Sequence, residues 1–115
     1  MINAKAISRN VRVSPQKLRI YADSVRGKNV AKAVHWLQSQ AVNRVVPIAK
    51  TLISAYHNAL QADSSISGMD QLRIKEIRVD QGATVRYFKP GAQGRVSPQR
   101  KRFSHISVIV EKVSK

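Results

Sequence analysis

Cysteine is absent from this sequence, and acidic residues number only six among 115. Without cysteine, disulfides and every cysteine-based metal site are excluded. None of the three histidines, His35, His57 and His105, has a second histidine or a carboxylate at ligand spacing. The acids are also too thinly spread to form a general acid–base pair. We therefore expect no metal, no cofactor and no enzyme activity.

Long hydrophobic runs are missing as well. No stretch of about 18 apolar residues exists, so the sequence predicts no membrane-spanning helix. The segment Met1–Asn10 lacks the apolar core of a secretory signal peptide. A membrane-active protein would need a continuous basic amphipathic helix, and the longest predicted helix carries only Arg44 and Lys50 as cations. We therefore expect a cytoplasmic protein, or one inside an organelle with its own genes, that has no membrane partner.

The shortage of acids leaves a net charge of +15, which is unevenly distributed. No acidic residue lies between Asp80 and Glu111, and the segment 81–104 holds five glycines or prolines and few residues that could fill a core. Such a segment cannot fold by itself, and its charge favours RNA because neutralised phosphates release counterions. Its cations are Arg86, Lys89, Arg95, Arg100, Lys101 and Arg102.

Aromatic residues are few in the whole chain, yet Tyr87, Phe88 and Phe103 lie among these cations. Aromatic rings can stack on unpaired bases while arginine and lysine contact phosphates. The segment is either a solvated charged loop or a long antiparallel hairpin with its bend near Pro90-Gly91. Arms of about 10 residues would reach roughly 30 Å from the body. Because an isolated two-stranded hairpin is only marginally stable in water, we expect this hairpin to need a partner along most of its length.

Hydrophobic periodicity predicts the elements of the remaining chain. Ser14-Pro15 is a helix start signal, and Gly27 can end that helix in a left-handed conformation. The predicted elements are a strand at Asn3–Val11, helices at Ser14–Arg26, Asn29–Gln38 and about Ala41–Ala62, and strands at Leu72–Val79 and His105–Val113.

Two of these elements leave alternatives open. Pro47 either kinks the third helix or marks a start nearer Arg44. The strand at Leu72–Val79 either contains a bulge near Lys75-Glu76 or is covered on both faces. The apolar face that we expect for the third helix consists of Val45, Ala49, Leu52, Ile53, Tyr56 and Leu60.

The first two helices, split by Gly27, could form a DNA-reading helix-turn-helix within residues 14–38. Against this, the second helix carries Lys32 and no arginine, so it is poorly equipped to read DNA. Packing is the stronger interpretation, with Trp36 partly buried at the edge of an apolar stripe. That stripe consists of Val30, Ala33, Val34 and Leu37. A DNA-binding regulator remains the alternative function.

Four segments together resemble the large-subunit ribosomal protein twenty-two family. The first runs from Val11-Arg12-Val13-Ser14-Pro15-Gln16-Lys17-Leu18-Arg19 through Ala22-Asp23-Ser24-Val25-Arg26-Gly27-Lys28. The second and third are Ser54-Ala55-Tyr56-His57-Asn58-Ala59 and Val79-Asp80-Gln81-Gly82. The fourth is Gly94-Arg95 followed by Lys101-Arg102-Phe103-Ser104-His105-Ile106-Ser107-Val108-Ile109-Val110. They occur in the family's order and cover almost the whole chain.

The resemblance implies one α+β domain over residues 1–115, with a small antiparallel sheet packed on three helices and a protruding β-hairpin arm at about 81–104. It implies a structural constituent of the large ribosomal subunit, without catalysis, that organises large-subunit rRNA in the cytoplasmic ribosome. The arm's tip would line the nascent-peptide exit tunnel. The implied partners are therefore rRNA, neighbouring ribosomal proteins and the nascent peptide, and no homo-oligomer is expected.

Two sets of residues carry these expectations. The family's usual tip is Pro-Arg-Ala-basic-Gly-Arg. This chain has Pro90-Gly91-Ala92-Gln93-Gly94-Arg95 instead, so two expected cations are absent. The residues expected to contact rRNA are Lys5, Arg9, Arg12, Lys17, Arg19, Arg26, Lys28, Arg78, Arg86, Lys89, Arg95, Arg100, Lys101, Arg102 and His105. The residues expected at the tunnel tip are Arg86, Tyr87, Phe88, Lys89, Pro90, Gly91, Ala92, Gln93, Gly94 and Arg95.

Overall fold

The computed structural model describes residues 3–90, 94 and 96–113, and for residues 87–90 and 96–99 it describes the backbone alone. The elements are β1 (Asn3–Val11), α1 (Pro15–Val25), α2 (Val30–Ser39), α3 (Val45–Ala62), a short 3-10 turn (Met69–Gln71), β2 (Leu72–Pro90) and β3 (Val96–Lys112). The strands form an antiparallel sheet in the order β1-β3-β2. The expected α+β fold is therefore confirmed.

The core lies between one face of this sheet and the helices. Central strand β3 contributes Ile106, Val108 and Val110, all fully buried, while the residues between them are half-buried on the opposite face. This alternation is the period of two that a strand covered on one face requires. The large helix residues that complete the core are Leu18, Leu37, Ile48 and Leu52, each fully buried.

The ends of α1 and α2 follow the sequence signals. Gly27, with φ +79°, reverses the chain after α1 in the left-handed region that glycine adopts without strain. The Asn29 side chain then caps α2 by accepting a hydrogen bond from the backbone N–H of Ala31 at 2.9 Å. The predicted stripe of α2 is buried, and Trp36 is partly buried against the core, as expected.

The start of α3 resolves the question of Pro47. The helix begins at Val45 with Arg44 at its N-cap, which is the second of the two alternatives. Pro47 is therefore the third helical residue. A proline is tolerated there because the first N–H groups of a helix have no partner within it.

The apolar face predicted for α3 is correct in part, since Val45, Ala49 and Leu52 are buried. Ile53, Tyr56 and Leu60 are only partly buried, while the fully enclosed residues are Ile48, Thr51, Leu52, Ala55 and Ala59. Small side chains such as Ala55 let the helix approach the sheet closely, and polar Thr51 is accommodated by hydrogen bonds. Its hydroxyl donates to the carbonyl of Pro47 at 2.7 Å and lies 2.7 Å from the Ser8 hydroxyl. The periodicity of large apolar residues therefore missed Thr51, Ala55 and Ala59.

The bulge predicted in β2 is confirmed. The register with β3 shifts between Ile74 and Glu76, so one extra residue enters β2 at this point. The shift returns Ile77 and Val79 to the face already occupied by Leu72 and Ile74, and all four side chains are buried. The strand is therefore covered on one face, and the alternative of two covered faces does not hold.

Beyond the body, β2 and β3 continue as a paired arm. Their pairing runs from Gln81–Ser104 to Pro90–Val96, with a second register shift between Gln81 and Thr84. The molecule measures 66 × 24 × 17 Å, and its radius of gyration of 17.2 Å exceeds the roughly 13 Å of a compact chain of this length. Of the two alternatives for residues 81–104, a charged loop or a long hairpin, the hairpin is therefore correct.

Candidate nucleic-acid interface

A cationic cavity of about 380 Å³ lies at the base of the arm. It is formed by the turn from β1 to α1, the first turn of α1, the residue before α3 and the body-proximal part of β3. Six cations line it, and no carboxylate does so among the described residues. We call these residues the arm-base site: Arg12, Val13, Ser14, Lys17, Arg44, Arg100, Lys101 and Arg102.

Hydrogen bonds hold the arm against the turn that precedes α1. The Ser104 hydroxyl is fully buried and donates to the carbonyl of Val13 at 2.6 Å. The backbone N–H of Val13 in turn donates to the carbonyl of Val11 at 2.9 Å, which tightens the turn. Because Val11 also pairs with Ser104 across the sheet, Arg12 and Arg102 are carried on one connected framework. The backbone at Arg12 and Arg102 is therefore positioned by the protein itself.

The electrostatics of the arm-base site favour a polyanion. Cations gathered without carboxylates repel each other, and an anion that neutralises several of them removes this repulsion and releases counterions. Ser14 is the N-cap of α1 but makes no side-chain cap hydrogen bond. The positive end of the helix dipole therefore opens onto the same cavity. This arrangement suits a phosphate backbone that crosses the base of the arm.

Arg44 is the member of this site that the sequence did not place in the interface. It lies just before α3, more than forty residues from the arm cations, and has no basic neighbour within five residues on either side. Only the packing of α3 against the sheet brings it beside Lys17 and Arg102. The available signal was a lone exposed cation immediately before a helix, which is too common to indicate a site.

Two expected RNA-binding cations lie instead on the open face of the sheet. Lys5 and Arg78 border a small cavity of about 60 Å³ together with Glu76, Ser107 and Ile109. The Nε of Arg78 donates to the Glu76 carboxylate at 2.5 Å, and this hydrogen bond lowers the pKa of Glu76 and raises that of Arg78. Arg78 is therefore paired within the protein.

Arg19 on α1 and Arg26 at its C-cap lie against the edge of the sheet. The Nη2 of Arg26 donates to the carbonyl of Ile77 at 2.9 Å, and its Nη1 lies 2.5 Å from the carboxylate of Asp23. Arg19 makes equivalent contacts with β2. Both guanidinium groups thus stabilise the fold by hydrogen bonding to carbonyl oxygens of β2.

The remaining expected residues are scattered. Arg9 and Arg86 are exposed on β1 and on the arm, and Lys28 lies at the far end of α1. His105 is half-buried, and its Nδ1 accepts from the backbone N–H of Asn10 at 3.2 Å. The fifteen expected residues therefore do not share one location, and the arm-base site unites five of them.

Most of the expected tunnel tip cannot be placed. Gly91, Ala92, Gln93 and Arg95 lie outside the described residues, as do the side chains of Tyr87, Phe88, Lys89 and Pro90. Gly94 is described, and its φ of +78° requires the freedom of glycine. Arg86 is exposed on the arm.

The described residues contain neither a metal-binding cluster nor a membrane-spanning helix. Within the described residues, no histidines and carboxylates group in a way that could hold a metal ion. No helix in that part of the chain is long and apolar enough to cross a membrane.

Comparisons with known proteins point in one direction. The model of the family described as ribosomal protein L22p/L17e matches residues 6–111. The chain is 46% identical over 110 residues to the large ribosomal subunit protein uL22 of Desulfitobacterium hafniense, covering 96% of this chain and 95% of the relative. Proteins of the same name are 43% identical in Bifidobacterium longum (95% and 94% covered) and 38% identical in Staphylococcus aureus (95% and 92% covered).

Proposed function

The chain belongs to the ribosomal protein L22p/L17e family, and we propose that it binds large-subunit rRNA through the arm-base site and presents its arm to the nascent-peptide exit tunnel. Membership of the family makes it a structural component of the large subunit, located in the cytoplasmic ribosome, and not an enzyme. The observation that carries the proposal is the convergence of six cations from three separate stretches of the sequence on one cavity.

Phosphate contacts alone position a protein without reading sequence. Specificity would come from the shape of the rRNA, because a rigid body with a long arm fits only certain arrangements of RNA helices. The arm supports this idea, since its two strands remain paired as far as Pro90–Val96, well beyond the core. The arm's tip would form part of the tunnel wall and contact the nascent peptide, while the body would contact neighbouring ribosomal proteins as a single copy.

Measuring the affinity for a large-subunit rRNA fragment over a series of salt concentrations tests the arm-base site. We expect Lys17→Gln, Arg44→Gln and Arg102→Gln each to weaken binding and to reduce the slope of log K against log salt by about 0.7–0.9. Lys50→Gln is the matched control, since it removes an exposed cation of α3 that does not line the site. If the three variants bind like the wild type while remaining folded, the site does not contact RNA.

Competition with duplex DNA at equal salt tests the alternative of a DNA-binding regulator. The exposed face of α2 carries Lys32 as its one cation and no arginine, so it is poorly equipped to contact a DNA groove. We therefore expect structured RNA to displace duplex DNA, and the reverse result would favour the regulator.

Crosslinking and mass spectrometry on purified ribosomes test the tunnel proposal. Crosslinks from the tip to rRNA of the exit tunnel are expected, and crosslinks to surface rRNA alone would contradict the proposal.

A further inference from the structure

A second cavity, of about 490 Å³, opens at the other end of α1. Its lining consists of Val25, Lys28, Asn29, Lys32 and Trp36, which come from the end of α1, the turn after it and the first two turns of α2. The volume falls within the roughly 300–1,000 Å³ of small-ligand sites. We call these five residues the Trp36 site.

The aromatic wall of this site is held in place by packing. The ring of Tyr21 lies 6.4 Å from the ring of Trp36 at an interplanar angle of 49°, a tilted contact of the kind that aromatic pairs favour. Val25 is fully buried beside them, while Trp36 itself is only partly buried. The indole therefore packs against Tyr21 on one side and keeps part of its surface exposed, where a ligand could contact it.

The polar wall is equally well ordered. The Asn29 amide donates to the carbonyl of Asp70 at 2.7 Å, while its oxygen caps α2. The carbonyl of Lys28 accepts from the N–H of Ile74 at 2.9 Å, which fixes the turn to β2. The side chains of Lys28 and Lys32 are exposed, and among the described residues no carboxylate lines the cavity. Two cations therefore border an aromatic surface on a rigid frame.

We propose that the Trp36 site takes one unpaired nucleotide of rRNA, with the base stacked on the indole and a phosphate between Lys28 and Lys32. Stacking on an aromatic ring combined with cations at the backbone is how proteins hold unpaired RNA. This inference rests on the proposed function, since it assumes that the chain binds rRNA. An acidic peptide would also attract the lysines, but it would leave the indole without a stacking partner.

The position of the site gives it a separate role from the arm base. The arm-base site begins at Ser14 and Lys17, at the start of α1, and the Trp36 site begins at Val25, at its end. A helix of 11 residues separates them by about 15 Å. The body would therefore hold RNA at two points, so that orientation as well as attachment is determined.

Trp36 is the single tryptophan of the chain, so its fluorescence reports on this site alone. We expect saturable quenching when the full chain is titrated with a large-subunit rRNA fragment. The double variant Lys28→Gln/Lys32→Gln should weaken the quenching, and Trp36→Leu should reduce affinity roughly tenfold in gel shifts, within the range of single base-stacking contacts. Trp36→Phe, which keeps an aromatic ring, should restore most of that affinity, and circular dichroism checks that each variant is folded.

The outcomes separate this inference from the proposed function. If the rRNA fragment binds and the arm-base variants weaken it, yet Trp36 fluorescence is unchanged, the Trp36 site is not a nucleotide site. If neither site responds to RNA, the proposed function fails as well. Quenching by polyglutamate that exceeds quenching by RNA would assign the cavity to an acidic protein segment and overturn the inference. Loss of affinity in Trp36→Leu that Trp36→Phe does not restore would also count against stacking.

Discussion

Arg19 on α1 donates hydrogen bonds from both Nε and Nη2 to the carbonyl oxygen of Val79 on β2, at 3.2 and 3.0 Å. Strand β2 is an edge strand, because the sheet order is β1-β3-β2, so alternate backbone groups on its outer side have no strand partner. Arg26, the C-cap residue of α1 about two turns along, donates one hydrogen bond from Nη2 to the carbonyl of Ile77 at 2.9 Å. These two arginines thus cover alternate carbonyls of an exposed sheet edge.

These contacts predict that Arg19 matters for stability. We expect Arg19→Ala to lower the free energy of unfolding by about 1–2 kcal/mol, since hydrogen bonds from a charged donor are lost. Lysine should restore only part of this, because it lacks the planar fork that reaches one acceptor twice. Urea denaturation provides the measurement. Lys17→Ala, on the same helix but exposed at the arm-base site, is the control and should leave stability nearly unchanged. Equal losses in the two variants would contradict this division of roles.

The different roles of Arg19 and Lys17 could not be predicted from the sequence. Charge, spacing and the resemblance to the family all indicated that both are cations of α1 with a role toward RNA. They gave no means of telling which cation faces a strand edge, because that depends on the register and twist of β2. The same limit explains Arg44, which reaches the arm-base site only through the packing of α3.

Ser104 provides a test of how the arm is attached. Its hydroxyl is fully buried and donates to the carbonyl of Val13 at 2.6 Å. Ser104→Ala would leave that carbonyl without this donor, at a cost of about 1–3 kcal/mol in unfolding free energy. Thermal or urea unfolding measures the loss. Ser107→Ala, three residues along the same strand but on the open, half-buried face, should cost much less. A Ser107 effect as large as that of Ser104 would mean that the hydrogen bond is not the cause.

Gly82 lies within the register shift at the base of the arm, between Gln81 and Thr84. A Cβ there would lie 3.1 Å from the carbonyl oxygen of Phe103 and 3.2 Å from two atoms of the His105 ring. The carbonyl belongs to the paired strand and the ring is held by Asn10, so neither yields easily. We expect Gly82→Ala to destabilise the protein by about 1 kcal/mol, within the range for overpacking. Chemical denaturation measures this, with Ala83→Ser at the exposed neighbour as the control.

Regular features of the fold were predictable because local chemistry specifies them. The N-cap at Asn29 and the left-handed Gly27 each follow from a few adjacent residues, whereas the bulge between Ile74 and Glu76 was one of two alternatives that the sequence left open. The buried face of α3 followed only in part: Leu52 was expected, but Ala55 and Ala59 are small and Thr51 is polar, so hydrophobicity did not mark these three as core positions. Close approach of the helix to the sheet, which selects small residues, is a property of the assembled layers.

Asp63, at the end of α3, collects three contacts that depend on its charge. Its Oδ1 accepts from the Ser65 hydroxyl at 2.6 Å and from the Ser65 N–H at 3.0 Å, and its Oδ2 lies 3.6 Å from the Nζ of Lys112. The Ser65 hydrogen bonds, and then the charge of Lys112, lower the pKa of Asp63 below its ordinary value of 3.8. The carboxylate therefore links the loop after α3 to the end of β3.

The lowered pKa of Asp63 determines the sign of its pH dependence. Since the folded state favours the ionised form, the contribution to stability is complete above the ordinary value of 3.8 and is lost as pH falls through the lower folded value. Asp63→Asn should therefore be less stable than the wild type at neutral pH, and the two should converge in acid. Chemical denaturation at several pH values measures the difference. Ser64→Ala, at the exposed residue next to Asp63, is the control and should leave stability nearly unchanged at every pH. A wild-type advantage over Asp63→Asn that stayed constant into strong acid would show that the charge of Asp63 is not its source.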